Sequence, residues 1–316
     1  MRSRQFALIL AAFFLAIALS ASPSSFAAES DGNSATVPVT VTVTVLGNNN
    51  QPAPEIPQED VTVHMGRDLP KVIDWERARA SEGPLQLALL IDDNIRTTLI
   101  GQQFDYIANF IEGQAPSTEV ALYYAEHGSA YPAAPFSTDH QKVARALRLT
   151  LGLRNGESPS IYLSLSDLAK HWPAAPGSRR EVVVFASGND PLQPGIVDSY
   201  ADASVDAVVK AGLTVHAIPI AGTRYSLSFR GNISSGKLIQ LSDDTGGRTI
   251  GGELGAPVSL APYLDQLNRI LSNQYLLTFA AKPSDKKNGE IRDIQVRLEE
   301  HNVKVFAPKR VLIPAR

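Results

Sequence analysis

The chain has 316 residues, of which 44% are hydrophobic, 19% are charged and none is cysteine, and its formal net charge is −3 at pH 7. The lack of cysteine excludes a disulfide framework, a thiolate metal site and a lipid-modified cysteine. Lysines and arginines are scattered along the sequence, so we expect neither a nucleic acid nor an anionic membrane surface as partner.

The first 28 residues have the order of a secretory signal. Two arginines precede an uncharged run over 6–19, and small residues lead up to Ala27 and Ala28. This order is typical of export signals, and the run is shorter than the roughly 20 apolar residues of a membrane span. We predict export to the periplasm or the extracellular space, with cleavage after Ala27 or Ala28. An uncleaved N-terminal anchor is the alternative, and no membrane span is expected after cleavage.

Residues 35–80 form a predicted N-terminal group of β strands. Valine and threonine alternate over 37–45, which places the valines on one face of a strand and the threonines on the other. Shorter strand patterns follow at 61–64 and 72–75. Because two or three strands do not stand alone in water, this group needs a partner sheet.

Residues 84–273 alternate uninterrupted apolar runs with helical patterns. The apolar runs lie at 85–91, 120–124, 181–185 and 213–220. Strands that are apolar on both sides and linked by helices are typical of a parallel sheet with helices on both faces. We therefore predict an α/β fold with a doubly wound, mostly parallel, Rossmann-like sheet.

Residues 274–316 form a predicted C-terminal group of β strands, with strand patterns at 274–280, 291–298 and 303–313. The N-terminal and C-terminal groups each lack a partner within themselves. The hypothesis that follows is that they pair into one small β layer beside the α/β domain.

Sequence motifs for catalysis are absent. The six histidines show no metal-ligand spacing, and there is no G-x-S-x-G elbow and no G-x-x-x-x-G-K phosphate loop. His216 lies inside an apolar run, where a hydrogen-bonded core or edge histidine is expected. We therefore predict that the protein is not an enzyme.

Polar residues follow two of the predicted strands at the ends where ligands gather in an open parallel sheet. The first run is followed by Asp92, Asp93, Asn94 and Arg96, and the third by Ser187 and Asp190. We predict a ligand-binding region formed by these loops.

The layout resembles a von Willebrand factor A (VWFA) domain, of the exported VWFA-related type common in Acidobacteria. Residues 274–279 and 292–298 resemble the tail of those exported proteins, and the Val-Thr repeat fits the same group. In this family an Asp-x-Ser-x-Ser motif after the first strand, a Thr from a later loop and an Asp after the fourth strand hold Mg²⁺ or Mn²⁺. One metal position is left for a carboxylate of the partner.

The Asp-x-Ser-x-Ser motif of the family is only partly present. Asp92 matches the Asp, Asn94 stands at the first Ser, and Arg96 places a cation at the second. The resemblance thus implies a degenerate metal site: no cofactor is expected, and Mg²⁺ or Mn²⁺ would use Asp92 and Asn94 only if the site is functional. One hypothesis pairs Arg96 with Asp92 as a substitute for the ion. In the alternative, Arg96 points into solvent and Asp92 caps the following helix.

The other metal-site positions also depart from the family. Ser158 and Ser160 are the hydroxyls nearest the Thr position, and Ser187 stands where the later Asp is expected. Asp93 or Asp190 would have to supply a missing carboxylate.

Three functions follow from the resemblance and the residues. The first is an exported protein-binding or adhesion module whose partner is a protein or a surface polymer. The alternative is a structural scaffold subunit of an envelope assembly that uses the terminal β layer. A metal-dependent hydrolase using Asp92, Asp93 and Asp190 ranks third, because no nucleophile or base pair is apparent.

Overall fold

A computed structural model describes residues 36–48, 53–78, 85–152, 160–173, 177–187, 194–220, 229–251 and 257–316. The expected export signal, Ser158 and Asp190 lie outside these ranges. Within them, no helix is both long and apolar enough to cross a membrane.

The N-terminal strands are β1 (Val37–Gly47), β2 (Val61–His64) and β3 (Val72–Arg77), with a 3-10 turn at Gln58–Asp60 before β2. The valines at 39, 41, 43 and 45 are buried, whereas Thr40 is exposed, Thr42 is half-buried and Thr44 is buried. The alternation of valine and threonine therefore sets the core face in the first part of β1, and both faces are covered toward its end.

The middle of the chain alternates strands and helices, with one β-hairpin. In chain order it contains β4 (Leu85–Asp92), α1 (Thr97–Gly101), α2 (Phe104–Glu112), β5 (Glu119–Glu126), β6 (Ser129–Ser137), α3 (His140–Ala144), α4 (Ile161–Lys170), β7 (Arg179–Ala186), α5 (Pro194–Lys210), β8 (Thr214–Pro219) and α6 (Phe229–Asp244).

These strands form a five-stranded central sheet in the order β6-β5-β4-β7-β8. The β5-β4, β4-β7 and β7-β8 pairs are parallel, and only the β6 edge is antiparallel. Every residue of β4 is buried, and two hydrophobic clusters cover the two faces of the sheet. This confirms the predicted doubly wound, mostly parallel sheet.

The edge strand β6 was not predicted from the sequence. It follows β5 through a tight turn in which His127 and Gly128 have φ of 51° and 75°. Pro132 and Pro135 lie within it, and proline is tolerated in sheets on edge strands because it lacks a backbone N–H. The prolines remove the usual strand signal, and the position at the edge makes them acceptable.

The C-terminal part contains α7 (Ala261–Leu271), β9 (Gln274–Ala281), β10 (Glu290–Asp293), β11 (Gln295–Leu298), β12 (Val303–Phe306) and β13 (Arg310–Ile313). Two of the three predicted strand segments are thus each divided into two short strands. At Ile294, between β10 and β11, the backbone N–H donates to Lys309 O at 2.8 Å.

The two terminal groups of strands pair with each other, as the sequence predicts. A four-stranded antiparallel sheet has the order β12-β1-β9-β3, and two ribbons pair β10 with β13 and β2 with β11. Val43, Leu277, Phe279 and Ile313 are fully buried in the shared core. The central α/β region is therefore flanked by a β layer built from both ends of the described chain.

Candidate binding site at the carboxyl end of the sheet

Asp92 ends β4 and joins it to the end of β7. Its Oδ2 accepts a hydrogen bond from the backbone N–H of Ser187 at 2.9 Å and another from the Ser187 hydroxyl, while Oδ1 accepts from the N–H of Asn94 at 3.0 Å. Burial raises the pKa of the Asp92 carboxyl, and the hydrogen bonds from Ser187 and Asn94 oppose that rise. Asp92 therefore connects two strand ends inside the protein.

Asp93, the next residue, forms a two-point ion pair with Arg148. Arg148 Nη1 lies 3.0 Å from Asp93 Oδ1, and Nη2 lies 3.2 Å from Oδ2. The guanidinium also lies over the ring of Tyr124, 3.9 Å from its centroid, and 3.7 Å from a carboxylate oxygen of Glu126. Paired, planar contacts of this kind restrict the orientation of an arginine side chain.

Further hydrogen bonds hold residues 148–152, here called the 148–152 loop, against the turn after β4. The N–H of Leu151 donates to Asp93 Oδ1 at 2.9 Å, and the N–H of Gly152 donates to Asp93 O at 3.0 Å. The Thr150 hydroxyl donates to Ile95 O at 2.7 Å, and the Thr97 hydroxyl donates to Thr150 O at 3.0 Å. The loop is therefore fixed at several points to the segment that follows β4.

The 148–152 loop carries two apolar side chains on the protein surface. Leu149 is 53% exposed and Leu151 is 43% exposed, although the backbone between them is bonded as described. Neither leucine was singled out from the sequence, because residues 147–152 have no helix or strand pattern. The surface they form depends on a loop geometry that only long-range contacts provide.

Arg96 does not take the place of the ion beside Asp92. It is exposed at the N-cap of α1, whereas Asp92 is buried and bonded to Ser187 and Asn94. The hypothesis of an Arg96–Asp92 pair is therefore wrong. The solvent-facing alternative agrees with the exposure of Arg96, but the helix-cap role for Asp92 does not agree with its hydrogen bonds, which go to the turn and to β7.

The remaining predicted site residues are distributed as follows. Asn94 is buried in the turn after β4, Ser187 lies directly after β7, and Ser160 is buried at the N-cap of α4. The structure thus brings Asp92, Asn94 and Ser187 together. The residue missed by the sequence reasoning is Arg148, which lies 55 residues from Asp93 in a segment without a motif.

The oxygen atoms of the described residues at this site do not fit the divalent ion of the VWFA family. Mg²⁺ prefers six oxygen ligands in near-octahedral geometry, but both oxygens of Asp92 accept hydrogen bonds from protein N–H and O–H donors, and Asp93 is paired with Arg148. A guanidinium about 4 Å from a dication is repelled by roughly 8 kcal/mol at an effective dielectric near 20. Among the described residues, no group of three or more His, Asp or Glu side chains is placed to hold a metal.

Comparisons with known proteins give likenesses of fold alone. No family model and no curated protein matches the chain. Similar solved structures include an aerotolerance-related membrane protein from Bacteroides fragilis (12% identity, TM-score 0.44, covering 59% of this chain and 98% of that one). BatB from Bacteroides thetaiotaomicron is 13% identical with a TM-score of 0.43, and the match covers 60% of this chain and 97% of BatB. The SpRpn10 VWA domain is 13% identical with a TM-score of 0.40, and the match covers 58% of this chain and 94% of that domain. Such low identities and TM-scores transfer neither activity nor partners to this chain.

Proposed function

We propose that this protein is an exported, non-enzymatic binding module that engages a partner through the carboxyl end of its central sheet without a bound metal. The observation that carries the proposal is the 148–152 loop, which exposes Leu149 and Leu151 while Arg148 is ion-paired to Asp93. The partner is a protein or a surface polymer of the cell envelope or its surroundings.

The fixed backbone of the loop supports binding because it lowers the entropic cost of association. A flexible loop must be ordered when a partner binds, at about 0.5–1.5 kcal/mol for each immobilised side chain, whereas a loop ordered in advance avoids part of this cost. Here both ends of the loop are bonded to β4 or its turn before any partner arrives. Arginine is also enriched at protein interfaces, and Arg148 directly precedes Leu149 in the loop.

The metal site is degenerate under this proposal, and an arginine takes over part of its structural role. In the VWFA family the ion joins loops at the carboxyl end of the sheet. Here Arg148 joins the loop to Asp93, and Ser187 joins the end of β7 to Asp92. Because both connections are made by the chain itself, partner binding should not depend on Mg²⁺ or Mn²⁺.

Export supports an envelope or extracellular partner. The first 28 residues have the basic, apolar and small-residue order of a secretory signal. A chain without cysteine is also unaffected by disulfide formation in an oxidising compartment.

Capture of partners from an envelope extract tests the proposed surface. The bait is compared with the double variant Leu149→Ser/Leu151→Ser and with a matched pair on the β layer, Leu69→Ser/Ile73→Ser, whose leucine and isoleucine are 65% and 50% exposed. We expect the loop pair to lose the captured partner and the β-layer pair to keep it, with EDTA changing neither result. Protease treatment of the extract distinguishes a protein partner from a polymer.

The alternative function, a scaffold subunit of an envelope assembly, has its own supporting observation. Leu69 and Ile73 are exposed apolar side chains just before and within the edge strand β3, which pairs with β9 on one side. An edge strand with exposed apolar residues is a potential protein contact. Loss of the partner in the Leu69→Ser/Ile73→Ser variant, with capture retained in the loop variant, would favour the scaffold and refute the leading proposal.

Calorimetry tests the metal-free part separately. We expect no saturable heat when Mg²⁺ or Mn²⁺ is titrated into the wild-type chain. Micromolar binding that disappears in Asp92→Ala would show that the ion site works and that the degenerate-site proposal is wrong, whatever the partner experiment gives.

A further inference from the structure

A cavity of about 320 Å³ lies at the opposite end of the central sheet from the 148–152 loop. It opens where the first residues of β7 and β8 meet strands β1 and β9 of the β layer, and residues 308–311 close one side. Three arginines line it, at positions 179, 180 and 310, and the described lining contains no aspartate or glutamate. The lining is therefore positively charged, although the carboxylate of Asp206, which pairs with Arg310, offsets part of this charge.

Arg179 brings a deeply buried charge to this cavity. Only 4% of the residue is exposed, and its guanidinium donates to Gln274 Oε1 and to Leu271 O, both of which are neutral acceptors. Its Nε–H has no hydrogen-bond partner among the described residues. Burial lowers the pKa of Arg179, and the charge of Glu181 opposes this.

Glu181 does not contact Arg179 directly, because its carboxylate is used elsewhere. One oxygen accepts a hydrogen bond from Gln274 Nε2 at 3.0 Å, and the other lies 2.9 Å from His216 Nε2. Gln274 therefore separates the arginine from its nearest carboxylate. Because the Arg179 charge does not contact the Glu181 carboxylate directly, part of the free-energy cost of burying that charge is not compensated.

The other two arginines offer more accessible guanidinium groups. Arg180 donates from Nη1 to Ala211 O at 3.0 Å, and Arg310 forms an ion pair with Asp206 at 2.8 Å, with 30% of its side chain exposed. Arg180 has a further partner besides Ala211, whereas the contact of Arg310 with Asp206 uses a single nitrogen of a guanidinium that carries five N–H donors. Thr42 and Ser178 add hydroxyl groups to the same lining.

We propose that this cavity binds a small molecule through a carboxylate or phosphate group. Guanidinium groups match the geometry of both anions with paired hydrogen bonds. In the proposed arrangement Arg180 and Arg310 contact the anion, and the buried charge of Arg179 attracts it through a low-dielectric interior without contact. The volume lies at the lower end of the roughly 300–1,000 Å³ found for small-molecule sites, so the ligand is compact.

The site is independent of the proposed partner surface. Arg180 is the second residue of β7 and Thr214 is the first residue of β8. Asp92 ends β4 and Ser187 follows β7, so both lie at the opposite end of the sheet. A substitution in the cavity is therefore expected to leave partner capture by the 148–152 loop unchanged.

Titration calorimetry with inorganic phosphate and with citrate, at constant ionic strength set by chloride, tests the proposal on the full mature chain. We expect saturable binding of at least one of the two anions, and the one that binds identifies the group. Arg180→Gln and Arg310→Gln should each weaken it by roughly 10-fold or more, which is the effect of losing a charge-assisted hydrogen bond. Arg310→Lys keeps the charge but loses the paired geometry, so its affinity for the anion should lie between those of the wild type and Arg310→Gln.

The control variant is Arg145→Gln, at the exposed end of α3 and outside the cavity lining. It should bind like the wild type, and unfolding curves should show that all variants remain folded. The proposal is overturned if neither anion binds more tightly than roughly 10 mM, or if Arg145→Gln weakens binding as much as Arg180→Gln and Arg310→Gln do.

Discussion

Replacing Ser187 with alanine should destabilise the protein in a pH-dependent way. The Ser187 hydroxyl donates to the buried carboxylate of Asp92, which also accepts from the backbone N–H groups of Ser187 and Asn94. Ser187→Ala removes only the hydroxyl donor. The two backbone donors remain, so the fold of the two strand ends is expected to persist with a weaker link.

The magnitude depends on the charge of Asp92. A hydrogen bond to an ionised, buried carboxylate contributes about 1.5–3 kcal/mol, and one between neutral groups about 0.5–1.5 kcal/mol. Burial already raises the pKa of Asp92, so the stability it contributes is fully present below its unfolded value and declines as pH rises through the folded value. The alanine variant loses a hydrogen bond that lowers this pKa, so the pKa of folded Asp92 rises further and the decline extends to higher pH.

Urea unfolding of the wild type and Ser187→Ala from pH 4 to pH 8 measures the effect. The difference in the free energy of unfolding should grow from about 1 kcal/mol near pH 4 to about 2 kcal/mol near pH 8. Ser164→Ala is the matched control, because the Ser164 hydroxyl is buried without a hydrogen-bond partner in the described structure. A difference that stays constant or shrinks with rising pH would refute the assignment of Asp92 as the ionised acceptor.

Two further predictions concern the core. Gly247→Ala should destabilise the fold by more than about 4 kcal/mol, because an added Cβ would lie 1.9 Å from Val215 O. Gly236→Ala in α6 is the control: its Cβ would meet no atom within 4 Å, and it should stabilise the fold by about 0.5–1 kcal/mol. Thermal unfolding compares the two variants, and equal effects would contradict the close packing at Gly247. Glu181→Gln should cost about 1–3 kcal/mol, because Glu181 accepts hydrogen bonds from His216 and Gln274, and the amide would turn an N–H donor toward one of them. His216 Nδ1 accepts from the backbone N–H of Arg248, so Nε2 is the donor to Glu181. A midpoint in urea unchanged from wild type would contradict these hydrogen bonds.

The layers of the fold were predictable because each leaves a local pattern. The valines of β1 alternate with threonines, and β4 is apolar at nearly every position, so a half-buried strand and a fully buried strand can be told apart from the sequence. The pairing of the terminal strands was predictable because neither group of strands can bury its apolar face alone. His216 was also predicted as a hydrogen-bonded core residue, and it is buried against Glu181.

The candidate site was only partly predictable. Asp92 and Ser187 follow strands that the sequence predicts as parallel, so their proximity was expected. One sequence-based hypothesis paired Arg96 with Asp92, but Arg96 is exposed. The ion pair at this end of the sheet is instead formed by Arg148 and Asp93. Sequence position favoured Arg96, because it stands in the motif, whereas Arg148 reaches the site only when its loop crosses the end of β4.

The sequence by itself determined the alternation of strands and helices, the two-faced burial of the central sheet and the polar character of its strand ends, because these depend on the periodicity of apolar residues along the chain. The tertiary structure alone decided which charges are paired. Contacts between Arg148 and Asp93, and the convergence of Arg179, Arg180 and Arg310 on one cavity, join segments 55 to 131 residues apart. Such contacts arise from packing between elements, which leaves no local pattern in the sequence.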